Sequence, residues 1–362
     1  MRVLHVLAGR RWTGVGATAL QLVEALHAAG VEVDFLFQRG NNLAGRLAGK
    51  SWAHPSLCKE RSLAELASNL RAIRARAVGA DLVHAHLPHD HALARVALRG
   101  TRHPLVRSVR RHPHLRASPY HRWLFRGCRA VGVAHAELLG LCDRLPALAG
   151  VPRIVLPIAL EPRFRPATDL DATRAALGIP AGTVVAGTVG KVDRGRGQDL
   201  FLRALAAAPG VWGLIVGTGD AEPAARTLAR QLEVETRVVF AGYVESGLET
   251  LYRAMDLFVF PAAGSDHGHR AIAEASGCGI PTLAADVPGV RELVEPGATG
   301  ALYPREDAAA LALLIREWAR HAEHRRDAGR TAATRAAASW TPHRLAAAAI
   351  AMYDAARTGH GP

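Results

Sequence analysis

Between Leu257 and Val294 the sequence LFVFPAAGSDHGHRAIAEASGCGIPTLAADVPGVRELV admits few local folds. Leu257, Phe258, Val259 and Phe260 form an apolar run of strand length, and Pro261 stops it because proline has no N–H for a ladder. A polar turn follows (Gly264, Ser265, Asp266, His267, Gly268), then a stretch whose small residues face inward at helical spacing. Gly277, Gly279 and Pro281 end that helix, and Thr282 to Ala285 form a second strand running into the Pro288-Gly289 turn. In a strand, loop, helix, strand unit, ligands collect beyond the carboxyl ends of the strands, where a helix start offers free N–H groups to an anion. Asp266 in the loop and Glu274 eight positions on set one carboxylate at that mouth and a second one to two turns deeper. The deeper one can accept two hydroxyl hydrogen bonds from a ribose.

The rest of the chain repeats this alternation. Val3 to Leu7 is a strand, Ala8 to Gly16 a glycine loop, Ala17 to Ala29 a helix stopped by Gly30, and Val31 to Phe37 the next strand. Gly14 and Gly16 let backbone approach a ligand closely. The spacing does not satisfy GxGxxG, and strand two does not end in a suitably placed acid, which argues against a dinucleotide cofactor. Ser62 to Ala77 is an amphipathic helix with Ser62 and Glu65 as a capping box. Asp81 to His86 is a strand with a polar exit, and His84, His86, His89 and His91 invite a metal reading. No acidic or cysteine ligand completes a shell there, so these histidines are expected to be structural or to line a site.

Charge is uneven along the 362 residues, a length that suits two domains. Residues 1–165 hold 25 Lys and Arg against 10 Asp and Glu (+15), and residues 166–362 hold 20 against 22 (−2). A basic first half points to anionic partners such as phospholipid headgroups, a phosphorylated carrier or nucleic acid, with a GC-rich coding bias as the plain alternative. The basic segment Arg102 to Arg129 interleaves Arg and His with Tyr120, Trp123, Leu124 and Phe125. It reads either as a cationic pocket or membrane-surface patch with those four as its apolar side, or as a solvated helix whose Arg stems cover apolar surface. Cys58, Cys128, Cys142 and Cys278 lack CxxC spacing and fit free thiols of a reducing cytosol. Met1 to Ala8 is too short for a signal peptide, and no apolar run approaches the ~20 residues of a membrane span.

In the second half, Thr183 to Thr188 is a β-branched strand followed by Gly190-Lys191-Val192-Asp193-Arg194-Gly195-Arg196-Gly197 and a helix from Gln198 to Ala207. Two cations before a helix start suit a diphosphate. Trp212 to Val216 ends in a Gly217 to Asp220 turn, and Val238 to Ala241 leads into Gly242-Tyr243-Val244. Pro304 to Ala338 reads as helical with Trp318 on its apolar face. Ser339 to Pro342 breaks it, and Leu345 to Ala356 is the last helix.

Asp266, Gly268 and Glu274, with Ala275, Ser276, Gly277, Gly279 and Pro281 behind them, resemble the donor-site signature of the family-four glycosyltransferases, retaining enzymes of the GT-B fold. Asp266 stands where that signature has Glu, His267 and His269 flank the glycine, and Lys191 and Arg196 exchange the family's Arg and Lys. Arg110 holds a place that is often His, and Ile158-Ala159 replace an Asn-Gly pair. The resemblance implies an α/β GT-B chain, two Rossmann-like domains facing a central cleft: residues 1–165 for the acceptor, 166–340 for a nucleotide-sugar donor, and 341–362 a helix returning to the first domain. It implies that Lys191, Arg196, Asp266 and Glu274 carry the chemistry. Gly14, Gly16, Gly190, Gly217, Tyr243, Val244, His267, Gly268, His269 and Arg270 would hold the donor, and His86, Arg110, Arg111 and His112 the acceptor.

The expected reaction moves a sugar from a nucleotide-diphosphate sugar, with retention, to a lipid-linked or cell-envelope glycan such as lipopolysaccharide or exopolysaccharide. A small soluble acceptor or sugar phosphate is the alternative. Outside enzymes, the options are a basic nucleic-acid-binding protein, for which no motif is present, or an inactive scaffold. No metal or cofactor is expected beyond the nucleotide-sugar substrate, and no nucleic-acid partner. The expected location is cytoplasmic, with peripheral contact to an anionic membrane surface on the inner face.

Overall fold

The computed structural model describes residues 1–9, 14–40, 43–110, 112–116, 118–167, 171–261 and 269–358. The chain divides into two compact units, Met1–Ala159 with Thr341–Pro362, and Leu160–Trp340. Segment 160–165 therefore groups with the second unit.

The first unit is built on a seven-stranded sheet in the order β3-β2-β1-β4-β5-β6-β7. Its strands are β1 (Arg2–Leu7), β2 (Glu32–Gln38), β3 (Ala53–Leu57), β4 (Leu82–Ala85), β5 (Leu105–Val109), β6 (Cys128–Val133) and β7 (Arg153–Val155). Every pairing is parallel, with His5 opposite both Phe35 and His84. Parallel sheets need cover on both faces, which explains why the strands read as nearly continuous apolar runs. One face packs on helix Gly14–Ala28, through Leu22, Val23 and Leu26, and on the last helix, Pro342–Thr358. The other face meets helices Leu63–Ala77 and Pro88–Ala97 through Ile73, Ala77, Leu93 and Ala94.

The last helix begins where Pro342 fixes a helical φ and Thr341 Oγ1 accepts the Arg344 N–H at 3.1 Å. Leu345, Ala346, Ala349, Met352, Tyr353 and Ala356 recur at three and four residue steps, and all are buried against the sheet and the first helix. Each large side chain there contributes about 1.5–3 kcal/mol by leaving water. Helix and sheet thereby form one core although most of the chain separates them in sequence.

The second unit has a six-stranded sheet in the order β10-β9-β8-β11-β12-β13. Its strands are β8 (Val184–Val189), β9 (Val211–Val216), β10 (Val238–Gly242), β11 (Leu257–Phe260), β12 (Thr282–Ala285) and β13 (Gly300–Tyr303), again all parallel. The LFVF run is buried at all four positions, as its composition requires of a central strand.

Three expectations fail. The stretch 304–338 is not one helix: Ala308–Arg320 and Ala322–Ser339 meet at His321, whose φ of −110° and ψ of 77° leave the helical region. The carbonyls freed at the break are taken by Arg325 Nη1, which donates to Trp318 O at 2.5 Å and to Ala319 O at 2.6 Å. Helix Gly14–Ala28 starts at Gly14, so Gly14 and Gly16 lie in its first turn and not in a loop ahead of Ala17. In helix Pro119–Phe125, Leu124 and Phe125 are buried, and only Tyr120 and Trp123 of the expected apolar side are exposed. Strands β3 and β13 escape the sequence pattern because AHPSL and GALY carry too few apolar residues to show a period.

Candidate functional site

In both sheets the strand order reverses once, between β1 and β4 and between β8 and β11. At such a switch point the loops from the two neighbouring strands diverge and leave a crevice at the carboxyl edge. Gly14, Gly16, His86, Gly190, Lys191 and Arg196 follow the strands that flank these two places.

In the second unit, the loop after β8 carries Lys191 and Arg196. It is laced to the loop after β9 by Val192 N–H donating to Thr218 O at 3.0 Å, Ala221 N–H to Val192 O at 3.0 Å and Asp220 N–H to Asp193 Oδ1 at 3.2 Å. Glycine is required where these backbones touch. A Cβ on Gly217 (φ +128°) would sit 2.0 Å from Gly190 O, and one on Gly197 (φ +82°) 2.0 Å from Pro261 O at the end of β11. The cation loop is thus held against the strand that leads to Glu274.

Lys191 Nζ pairs with Asp193 Oδ2 at 2.6 Å, and that hydrogen bond, with the nearby charges of Lys191 and Arg196, holds the Asp193 carboxyl below its ordinary range. Gly197 then caps helix Gln198–Ala206, whose first turn has free backbone N–H groups and whose Gln198 Nε2 donates to Lys191 O at 3.1 Å.

Helix His269–Gly277 packs its whole length into the unit. Glu274 is 5% exposed, and it receives the Tyr252 hydroxyl on Oε2 at 2.8 Å and Arg270 Nε on Oε1 at 2.6 Å. Burial pushes its carboxyl up, against the pull of Arg270 and Tyr252 in the other direction. Among the described residues each oxygen has one hydrogen-bond partner, which leaves acceptor capacity for a diol. Arg270 reaches on through Nη2 to Glu161 Oε1 at 2.8 Å. Tyr243, directly after β10, is 67% exposed, and Val244 beside it is half-buried. Asp266, His267 and Gly268 lie outside the described residues.

The structure therefore brings Gly190, Lys191, Arg196 and Gly217 onto interlocked loops, and sets Glu274, His269 and Arg270 on the helix of the adjoining strand. The hydrogen-bond partners of Glu274 lie on its own helix and on helix Leu248–Arg253, not on the cation loop.

In the first unit, the loops after β1 and β4 are joined by Asp90, which accepts Ala8 N–H on Oδ1 and Leu87 N–H on Oδ2, both at 2.8 Å. Burial raises its carboxyl to about 6 despite these bonds. His86 follows β4 directly and is buried, with its Nε2 3.0 Å from His5 Nδ1. His84 bonds Tyr353 Oη through Nδ1 and Ser108 Oγ through Nε2, both at 2.8 Å. Burial drives His5 down to about 3 and puts His84 and His86 well below their ordinary value, so the three rings are neutral.

The nitrogens of His5, His84 and His86 lie within 4.8 Å of one another, close enough to raise the question of a metal. His84 and His86 stack, with centroids 4.5 Å apart at 24°, whereas His5 and His86 meet edge to edge through their ring nitrogens. That contact points the His5 and His86 nitrogens at each other, and both His84 nitrogens face Tyr353 and Ser108, so the three do not converge on one ion. Arg107 and Arg110 are the charged neighbours that depress His84 and His86, which further disfavours a cation.

Arg110, directly after β5, keeps part of its surface exposed; burial lowers it to about 10, and its Nε has no hydrogen-bond partner among the described residues. Arg110 and His86 thus share the carboxyl edge of the sheet. His112 opens the short turn His112–Leu115, and Arg111 lies outside the described residues. His89 pairs with Glu60 at 2.9 Å, away from the triad, and His91 is buried against the Phe125 ring. His5, Asp90, Arg107, Tyr252 and Glu161 are missing from the sequence-based site. His5 stands alone as a polar residue inside an apolar run, which was the available signal for it.

Two family models divide the chain: "Glycosyltransferase Family 4" matches residues 12–145 and "Glycosyl transferases group 1" matches residues 169–335. The chain belongs to the family 4, group 1 glycosyltransferases. A D-inositol 3-phosphate glycosyltransferase of Mycobacterium tuberculosis is 36% identical over 167 residues, 44% of this chain and 33% of that relative, so the matched stretch spans about a third of the relative's length. Among solved structures, HepE of Anabaena in complex with UDP and glucose has a TM-score of 0.84 at 19% identity, covering 96% of this chain and 98% of that one. Sucrose-phosphate synthase of Thermosynechococcus elongatus has a TM-score of 0.80 at 21% identity, covering 98% of each chain. These likenesses make the fold GT-B-like, with two α/β units on parallel sheets. No helix among the described residues is long and apolar enough to cross a membrane.

Proposed function

We propose that this glycosyltransferase moves a sugar from a nucleotide-diphosphate donor to a hydroxyl acceptor with retention of anomeric configuration. The observation that carries the reading is the interlocked cation loop at the switch point of the second unit. Lys191, Arg196 and the N–H groups opening helix Gln198–Ala206 offer positive charge where a departing diphosphate gathers negative charge. Glu274, with acceptor capacity left on each oxygen, accepts the ribose hydroxyls. Lys191 is paired with Asp193, and a diphosphate would compete for it. Asp266 and the backbone beside it would read the sugar, and Tyr243 and Val244 the base. The HepE structures contain UDP, glucose or UDP-glucose, which supports the same donor class here.

The acceptor would bind at the carboxyl edge of the first sheet, beside His86 and Arg110. A lipid-linked or envelope glycan suits the basic first half and the exposed Tyr120 and Trp123. Arg110, whose Nε is unpartnered among the described residues, favours as second reading a soluble acceptor bearing a phosphate, the kind of substrate in the name of the mycobacterial relative.

The test is a thermal-shift screen with UDP-, GDP- and ADP-sugars, followed by proton NMR of the product's anomeric centre. A donor at 100 times its Kd should add about 2.7 kcal/mol of stability. At about 2–4 °C per kcal/mol for a domain of this size, that is a rise of about 5–10 °C. No shift with any nucleotide sugar would overturn the proposal, and an inverted product would overturn retention.

A further inference from the structure

Arg270 occupies the first turn of helix His269–Gly277, four residues ahead of Glu274, in a helix otherwise composed of small and apolar residues around it. Its guanidinium forms a bridge between Glu274 and Glu161, at 2.6 and 2.8 Å. Glu161 is not an isolated surface acid: Arg163 Nε lies 2.9 Å from its Oε2, and Arg163 Nη1 lies 3.4 Å from Glu249 Oε2. Segment 160–165 is in turn fixed by Arg253, which donates to Arg163 O at 2.6 Å and Arg165 O at 2.9 Å. Phe164 from this segment sets its ring edge-on to Tyr252, the residue whose hydroxyl holds the other oxygen of Glu274. Both grips on Glu274 are therefore anchored by one short stretch of chain.

We propose that Arg270 is a positioning residue of the donor site, which uses Glu161 as its anchor to keep Glu274 oriented and ionised for two ribose hydroxyls. The inference rests on the donor-binding reading of Glu274. Its physical ground is the cost of an almost fully buried carboxylate, which is stable only when charge-paired and hydrogen-bonded. Neutral carboxyl would present one acceptor oxygen and one O–H, and a diol that needs two acceptors would lose one of them.

Among the described residues the groups facing Glu274 are Arg270 on its own helix, Tyr252 on helix Leu248–Arg253 and Glu161 on segment 160–165, with Cys278, Arg253 and Glu249 one layer out. Arg270 is the cation that lowers Glu274, while Glu161 and burial raise it. Removing the guanidinium leaves burial and the Glu161 charge acting in the same direction. Glu274 then binds its proton nearer neutral pH, and the diol site fails as pH falls.

The experiment compares wild type, Arg270→Met, Arg270→Lys and Glu274→Gln by calorimetric titration with UDP, GDP and ADP between pH 6 and 9. The nucleotide's own titration cancels in each ratio to wild type. For the nucleotide that binds wild type, the affinity of Arg270→Met relative to wild type should fall at least tenfold further between pH 9 and pH 6. Arg270→Lys should restore most of the flat profile, and Glu274→Gln should bind weakly with no added pH slope. An Arg270→Met to wild-type ratio that does not change with pH would overturn the proposal.

A second readout needs no nucleotide. In protein labelled with carboxyl-13C glutamate, the Glu274 resonance, assigned by its loss in Glu274→Gln, should titrate at least one pH unit higher in Arg270→Met than in wild type. If that shift is found while no nucleotide binds wild type, the donor reading fails and the role of Arg270 as the charge partner of Glu274 stands. If the resonance titrates at the same pH in both proteins, the role of Arg270 fails whatever binds.

Discussion

Gly217→Ala tests whether the cation loop is held by direct backbone contact. The added methyl would stand 2.0 Å from Gly190 O, where real Cβ contacts essentially never fall below 3.0 Å, so the loops after β8 and β9 would have to part by about 1 Å or more. The residue also sits at φ +128°, which costs an alanine about 1–3 kcal/mol. Gly190→Ala is the matched control. It carries a similar conformational cost at φ +151° but its added methyl meets no atom of the described residues within 4 Å, so the difference between the variants isolates the clash. Forcing a methyl into a closed contact adds about 1–3 kcal/mol. At about 2–4 °C per kcal/mol, the second unit of Gly217→Ala should melt about 4–8 °C below that of Gly190→Ala for a clash of about 2 kcal/mol. Differential scanning calorimetry reads the two unit transitions, and nucleotide titration reads the loop. Gly217→Ala should lose at least tenfold in nucleoside-diphosphate affinity relative to Gly190→Ala. Equal melting of the two variants would show that the loops are not locked as described.

Two further outcomes concern the first unit. Tyr353→Phe keeps the ring but strands His84 Nδ1 in a fully buried place, so the unit should lose about 1–3 kcal/mol by denaturant titration; unchanged stability would remove Tyr353 from the network. Acid should weaken the same unit. His5 is held down to about 3 when folded and returns to its ordinary 6.5 when unfolded, so between those limits the unfolded chain binds more protons and stability falls as pH falls. His84, His86 and His91 act in the same sense, whereas Asp90, raised to about 6, opposes them between the ordinary 3.8 and that point. For His5 alone the loss from pH 7.5 to pH 5 is about 2 kcal/mol, and a His5→Gln variant should flatten that slope.

The sheets and the cation loop were legible because apolar runs of four to six residues, bounded by glycine and proline, have only one place in a parallel sheet. Leu257 to Phe260 is the clearest case. Lys191, Arg196 and Glu274 were legible as spacings. What the sequence could not convey is which polar residues meet through the fold. His84 finds Tyr353 a distance of 269 residues away, and Arg270 finds Glu161 across 109. Leu124 and Phe125 were misplaced because a short amphipathic helix does not reveal which of its faces the sheet takes, and the break at His321 was missed because no proline or glycine marks it.

The central claim is that Lys191, Arg196 and Glu274 serve one activated sugar. Calorimetric titration of the nucleoside diphosphate that binds wild type, into Lys191→Ala/Arg196→Ala and into Glu274→Ala, tests it most directly. The account predicts at least a tenfold loss of affinity in each, with uridine, guanosine or adenosine alone affected by Glu274→Ala but not by the cation pair. Wild-type affinity in either variant, with the fold intact by calorimetry, would contradict it.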